Sequence, residues 1–197
     1  MQTQKVEQLI SQLSKSERLA EYKKYWDELT PKTPDEIENR WIFAHLSVHT
    51  SWSMNVSSYL LLKQHKAVWR NNREELMRLL KQSRVGLYKI REKGIWDLVN
   101  KPKAAKLESE SWSEYRDKIM CDSYGLGFAK TAFALEMCFP LACKAVCLDT
   151  HMLQLYGYEV ADVAKVNSGK KYLEMERHWV DTCDKNGIEP YIARCLF

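Results

Sequence analysis

Between Ser123 and Gly157 the chain reads SYGLGFAKTAFALEMCFPLACKAVCLDTHMLQLYG, and this punctuation restricts the fold more than any other stretch. Gly125-Leu126-Gly127 is a tight turn. An apolar run with helical character follows, Phe128 to Phe139, with Lys130 and Thr131 in its first turn, and Pro140 stops it because proline has no N–H to continue a helix. A small-residue connection leads to Cys147-Leu148-Asp149-Thr150-His151. There Asp149 stands just before a second helical run, Met152 to Tyr158. Helix, stop and helix follow one another here, with no period-two alternation. The rest of the chain also lacks alternation and internal repeats, so the expected class is all-α.

Glycine accepts positive φ and has no Cβ, so an outside group can come close to the backbone. A helix starting directly after glycines points unpaired N–H groups and its positive dipole end outward, which suits a phosphate. The plain alternative is an ordinary helix–helix turn. Asp149 has its own plain alternative, an N-cap, a position that aspartate favours.

In chain order, Val6 to Trp26 reads as one amphipathic helix. Leu29 to Pro34 is a linker, and Thr33 caps the next helix, with Pro34 first and Asp35 and Glu36 in the opening turn. Ile37 to Val48 is the strongest helix of the first half. His49-Thr50-Ser51-Trp52-Ser53-Met54-Asn55 connects it to a helical run from Val56 to Lys66. Asn71 to Gln82 and Lys89 to Val99 are further helices, separated by Val85-Gly86-Leu87-Tyr88. Asn100 to Glu110 is a loop carrying Lys101, Lys103 and Lys106 around Pro102. Helices over Trp112 to Cys121, Val160 to Val166, Tyr172 to Cys183 and Tyr191 to Phe197 complete the expectation.

With 197 residues, 45% of them hydrophobic, the chain can bury a core. A net charge of +4 allows a polyanionic partner without requiring one. None of the six cysteines forms a Cys-x-x-Cys pair, and no signal peptide is visible. Free thiols in a reducing cytoplasm are expected. No apolar run is long enough to span a membrane.

Hairpin glycines, Lys130-Thr131-Ala132, an apolar helix and Leu148-Asp149-Thr150-His151 come in an order that resembles the helix–hairpin–helix DNA glycosylase superfamily, which includes endonuclease III. The resemblance is loose over most of the chain and specific from Gly125 to His151. It implies two helical lobes: residues 33–145 carrying the hairpin, and 1–32 with 146–197 carrying the catalytic aspartate. It implies double-stranded DNA as partner, a monomer, no cofactor, and work at the nucleoid or in a host's cytoplasm. Gly125, Leu126, Gly127, Lys130 and Thr131 would hold a DNA phosphate. His49, with Thr50, would stand where the family fills the gap left by an extruded base; a helix-terminal capping contact is the equal alternative for His49. Trp52, Tyr124, Phe128 and His151 are candidates for the base pocket. Only Cys183 and Cys195 follow Asp149, so no iron–sulfur cluster and no other metal is expected.

Asp149 would be the catalytic carboxylate. Breaking an N-glycosidic bond builds positive charge on the sugar, and a fixed carboxylate stabilises it and orients water. Lys130 is the candidate amine for a further lyase step, and its register is divided. Anchored on Thr131-Ala132 it falls on the family's catalytic lysine; anchored on the glycines, Ala129 does. An extra residue turns a helical side chain by roughly 100°, so a monofunctional enzyme with Lys130 supporting DNA binding is expected. A non-catalytic helix–hairpin–helix DNA-binding protein and a helical protein-interaction domain remain alternatives. The target base stays open among uracil-like, oxidised, alkylated and hypermodified bases.

Overall fold

The structure is a computed structural model and describes residues 2–101, 106–159, 166 and 169–197. Every regular element among them is helical, so the chain is all-α. In chain order the helices are α1 (Thr3–Leu13), α2 (Leu19–Glu28), α3 (Pro34–Leu46), α4 (Trp52–Gln64), α5 (Lys66–Trp69), α6 (Arg73–Gln82), α7 (Tyr88–Asn100), α8 (Trp112–Cys121), α9 (Phe128–Cys138), α10 (Thr150–Leu155), α11 (Lys170–Lys185) and α12 (Pro190–Leu196). The expected helix from Val160 to Val166 lies almost wholly outside the described residues, as do Pro102 and Lys103.

The single amphipathic helix expected from Val6 to Trp26 is two helices, α1 and α2. Serines divide it. The Ser14 hydroxyl donates to the Ser11 carbonyl at 3.1 Å, and the Ser16 hydroxyl accepts from the Arg18 amide at 3.3 Å, giving the backbone a local alternative to the helix. The segment before α4 is shorter than expected. Ser51 accepts from the Met54 amide and so starts the helix at Trp52. Thr33 caps α3 as its sequence predicts, in a reciprocal box with Glu36. Ser111 and Glu114 do the same for α8.

The chain divides into two compact units, residues 32–126 and residues 1–31 with 127–197. Helix α9 groups with the terminal segments, whereas the expected lobe of 33–145 had placed it in the middle. In the 32–126 unit, α3 packs on α4 and α7, and α6 on α4, α5 and α7. Trp41, Ile42, Leu46, Leu62, Trp69, Leu76 and Ile95 are buried there.

In the other unit α1 packs on α11 and α12, and α2 on α12. Val6, Ile10, Leu148, Met152, Tyr172, Met175 and Trp179 make its core. From Ala145 to Leu148 the connection from α9 to α10 is buried, without a sheet to pair with. Its backbone groups are satisfied by side chains instead, as burial demands. The Val146 amide donates to Glu176 Oε1 at 2.8 Å and the Cys147 amide to Glu136 Oε1 at 3.2 Å. The Tyr172 hydroxyl takes the Leu148 amide at 3.2 Å and donates to the Val146 carbonyl at 2.6 Å. Three side chains thus hold the segment that delivers Asp149.

Candidate active site

Asp149 leaves that segment as the N-cap of α10. Its Oδ1 accepts from the amides of His151 at 3.0 Å and Met152 at 3.1 Å. Capping occupies one carboxylate oxygen. The other, Oδ2, faces Arg194 Nη1 at 3.6 Å, and the side chain keeps 38% of its exposure. The carboxylate thus caps a helix through one oxygen and faces a cation of its own chain through the other, on a partly exposed side chain.

Arg194 comes from α12 and is itself held. Its Nε and Nη2 donate to the two oxygens of Glu136 on α9, at 3.1 and 2.7 Å. Glu136 is fully buried, and burial pushes its carboxyl up to about 7, opposed by the Arg194 fork and the Cys147 amide. The nearby Cys147 thiol is pushed up to about 12, again by burial, and stays neutral. Neither Glu136 nor Arg194 was singled out in the sequence. Glu136 was nevertheless legible as the one acid in the apolar run Phe128 to Phe139, where a buried charge requires a partner.

At the start of α9, Gly125 has φ +82, and a Cβ there would meet Ile90 Cγ2 at 2.6 Å. Leu126 is buried. Gly127 is different: it caps α9 at φ −103, no side chain caps the helix, and a Cβ there would meet nothing within 4 Å. Its neighbourhood gives no internal reason for glycine. Lys130 is half-buried, with Nζ 5.4 Å from the centre of the Phe133 ring, a ring it shares with the Arg194 guanidinium. Thr131 is fully buried, so its hydroxyl is not offered to an outside phosphate. Phe128 stacks on Tyr172 at 5.5 Å and packs against the unit's core, which uses the ring internally. His151 is exposed and lines an open cleft of about 460 Å³ with Leu9, Gln12, Gln154 and Phe197.

The remaining expected residues belong to the 32–126 unit. His49 is exposed, just past α3, with φ +49. Thr50 accepts from Arg91, which is 2% exposed and also donates to the carbonyls of Leu46, Val48, Val85 and Gly86. One buried guanidinium therefore ties the α3–α4 loop to the α6–α7 loop. Left-handed backbone at His49, Arg84, Gly86 and Leu87 falls in these two loops. Trp52 is 71% exposed at the first position of α4, its ring edge-on to Phe43 at 5.5 Å. Tyr124 is 45% exposed, with Lys93 Nζ 3.9 Å over its ring. Among the basic residues, Lys101 pairs with Asp97 and Lys170 with Glu174, and the Lys106 ammonium donates to the Leu107 carbonyl. Lys171 is exposed.

All six cysteines are free thiols. Among the described residues no helix is long and apolar enough to cross a membrane, and no three metal-ligating side chains gather. Comparison with family models, curated proteins and solved structures gave no match.

Proposed function

We propose that the chain is a DNA glycosylase that extrudes a damaged or modified base from duplex DNA and hydrolyses its N-glycosidic bond, with Asp149 as the catalytic carboxylate. One observation carries the reading: Asp149 caps α10 through Oδ1, while Oδ2 is turned to Arg194 Nη1 at 3.6 Å on a side chain that is still 38% exposed. A sugar carbon that gains positive charge as its base departs is stabilised by such an oxygen, which also orients the attacking water. Extruding the base costs a few kcal/mol, and phosphate contacts offset part of it. The uncapped first turn of α9 behind Gly127 supports that role. Lys130 is read as a DNA-binding residue and the enzyme as monofunctional.

A non-catalytic helix–hairpin–helix DNA-binding protein is the second reading, favoured by Asp149 having a sufficient structural task as a cap. Base release from a panel of duplexes carrying uracil, oxidised, alkylated and hypermodified bases separates the two. Asp149→Asn keeps size and cap but removes the charge. It should lose at least about a thousandfold in rate while binding DNA as well as the wild type. Turnover retained in that variant sinks the catalytic assignment. DNA binding without base release from any duplex by the wild type selects the second reading.

A further inference from the structure

A cation 3.6 Å from a carboxylate that must stabilise a developing positive charge needs an explanation. Arg194 would weaken the field Asp149 offers to the sugar. It would also cost free energy to bury, and a buried ion pair is seldom retained for stability, since well-packed apolar residues do as well. Glu136 resolves the conflict. Its carboxylate takes two of the three guanidinium nitrogens, leaving only Nη1 toward Asp149. One cation set between two carboxylates leaves a single net negative charge, at the end where the Asp149 side chain is partly exposed.

We propose that Arg194 is a positioning residue for Asp149, holding Oδ2 through Nη1, and that buried Glu136 neutralises Arg194 so that the charge of Asp149 is expressed toward the substrate. This rests on the glycosylase reading above.

Around Glu136 and Asp149 stand buried Glu176 on α11, which takes the neighbouring Val146 amide, buried Cys138 on α9, and few other titratable groups. Burial raises Cys143, Cys147, Cys195 and Tyr191, so all four are neutral near pH 7. Lys130 reaches the cluster across the Phe133 ring shared with Arg194. His151 stands beyond Asp149 on α10 and points to the open cleft. Glu136 is therefore the group whose ionisation alters the balance. With Glu136 protonated, the charge of Arg194 cancels that of Asp149; with Glu136 ionised it does not. Base release should accordingly rise with pH through about 7.

Single-turnover base release at saturating duplex, measured between about pH 6 and 8, tests this on the full chain. The duplex is one from the panel that the wild type processes. Glu136→Gln is fixed in the neutral form. It should be slower by about ten- to a hundredfold, lose the rise through neutrality, and bind the duplex with unchanged affinity. Arg194→Lys keeps a charge but cannot fork to Glu136 and also reach Asp149. It should lower the single-turnover rate by a similar factor, again without weakening binding, and should retain more rate than Arg194→Gln. If Glu136→Gln does not fold, Arg194→Lys alone decides the matter by the same comparison. A wild-type rate and pH profile in either folded variant overturns the positioning role and leaves the glycosylase reading standing. No base release by the wild type from any duplex removes that reading, and this inference with it.

Discussion

The Thr131 hydroxyl is wholly buried and has no hydrogen-bond partner among the described residues. A buried polar group without a partner costs free energy that an apolar group of the same shape does not. Thr131→Val should therefore raise stability by about 1 kcal/mol, read as a higher melting temperature, and leave DNA affinity unchanged. Weaker duplex binding in that variant would return the hydroxyl to the phosphate role that its place in the chain suggests. Asp149 was offered by Leu148-Asp149-Thr150-His151 as a helix cap or as a catalytic carboxylate, and the structure shows the cap, made through Oδ1, with Oδ2 turned to Arg194. What the sequence could not reveal was Arg194. Its link to Glu136 joins positions 58 residues apart, and no local spacing carries such a pair. Arg91 was illegible for a related reason: apart from the Thr50 hydroxyl its partners are backbone carbonyls, which any residue type can supply.

At the scale of elements, helix starts were the most legible feature, because caps act over three residues. Thr33 with Pro34 and Asp149 before α10 stand where the sequence placed a helix start, and α6, expected from Asn71, begins at Arg73 behind the cap Asn72. Interruptions were least legible, as the division of α1 from α2 shows. The two hairpin glycines separate a folding requirement from a surface one. Gly125→Ala forces a Cβ against Ile90 at φ +82 and should cost about 1–3 kcal/mol of stability. Gly127→Val meets open space at an ordinary φ. It should leave the melting temperature nearly unchanged while weakening binding to unrelated duplexes alike, because a phosphate contact carries no sequence information. Loss confined to one sequence would contradict the phosphate role.

The capping boxes also set a pH response. Hydrogen bonds from the Lys32 and Thr33 amides hold the Glu36 carboxyl below its usual 4.5. The Ser111 hydroxyl and amide do the same for Glu114. A carboxyl lowered by folding binds its proton less readily in the native state, so its contribution is present above about 4.5 and lost as pH falls through the native value. Melting temperature should drop on the acid side of that window. Glu36→Gln and Ser111→Ala should each make the drop shallower; equal slopes in wild type and variants would remove the boxes as its cause.

At the scale of the whole molecule, the unit bearing Asp149 is assembled from two separated stretches, 1–31 and 127–197. Val6 and Ile10 of α1 are fully buried in the same core as Trp179 and Leu148, and α2 packs on α12, the helix that carries Arg194. Removing residues 2–31 should therefore unfold that unit. Heteronuclear NMR of the truncated chain should show collapsed dispersion for residues 127–197. Native-like shifts for α11 and α12 in that spectrum would mean the terminal helices are dispensable to it.

The buried run from Val146 to Leu148 has its own consequence for measurement. Helix amides exchange with solvent when a helix opens, whereas these three are latched by the side chains of Glu176, Glu136 and Tyr172. Their exchange rates are local clocks, each timed by one removable latch. Tyr172→Phe should release the Leu148 amide and leave helical amides ticking as before, so that the rigidity of the aspartate's mounting can be read in solution with no DNA present.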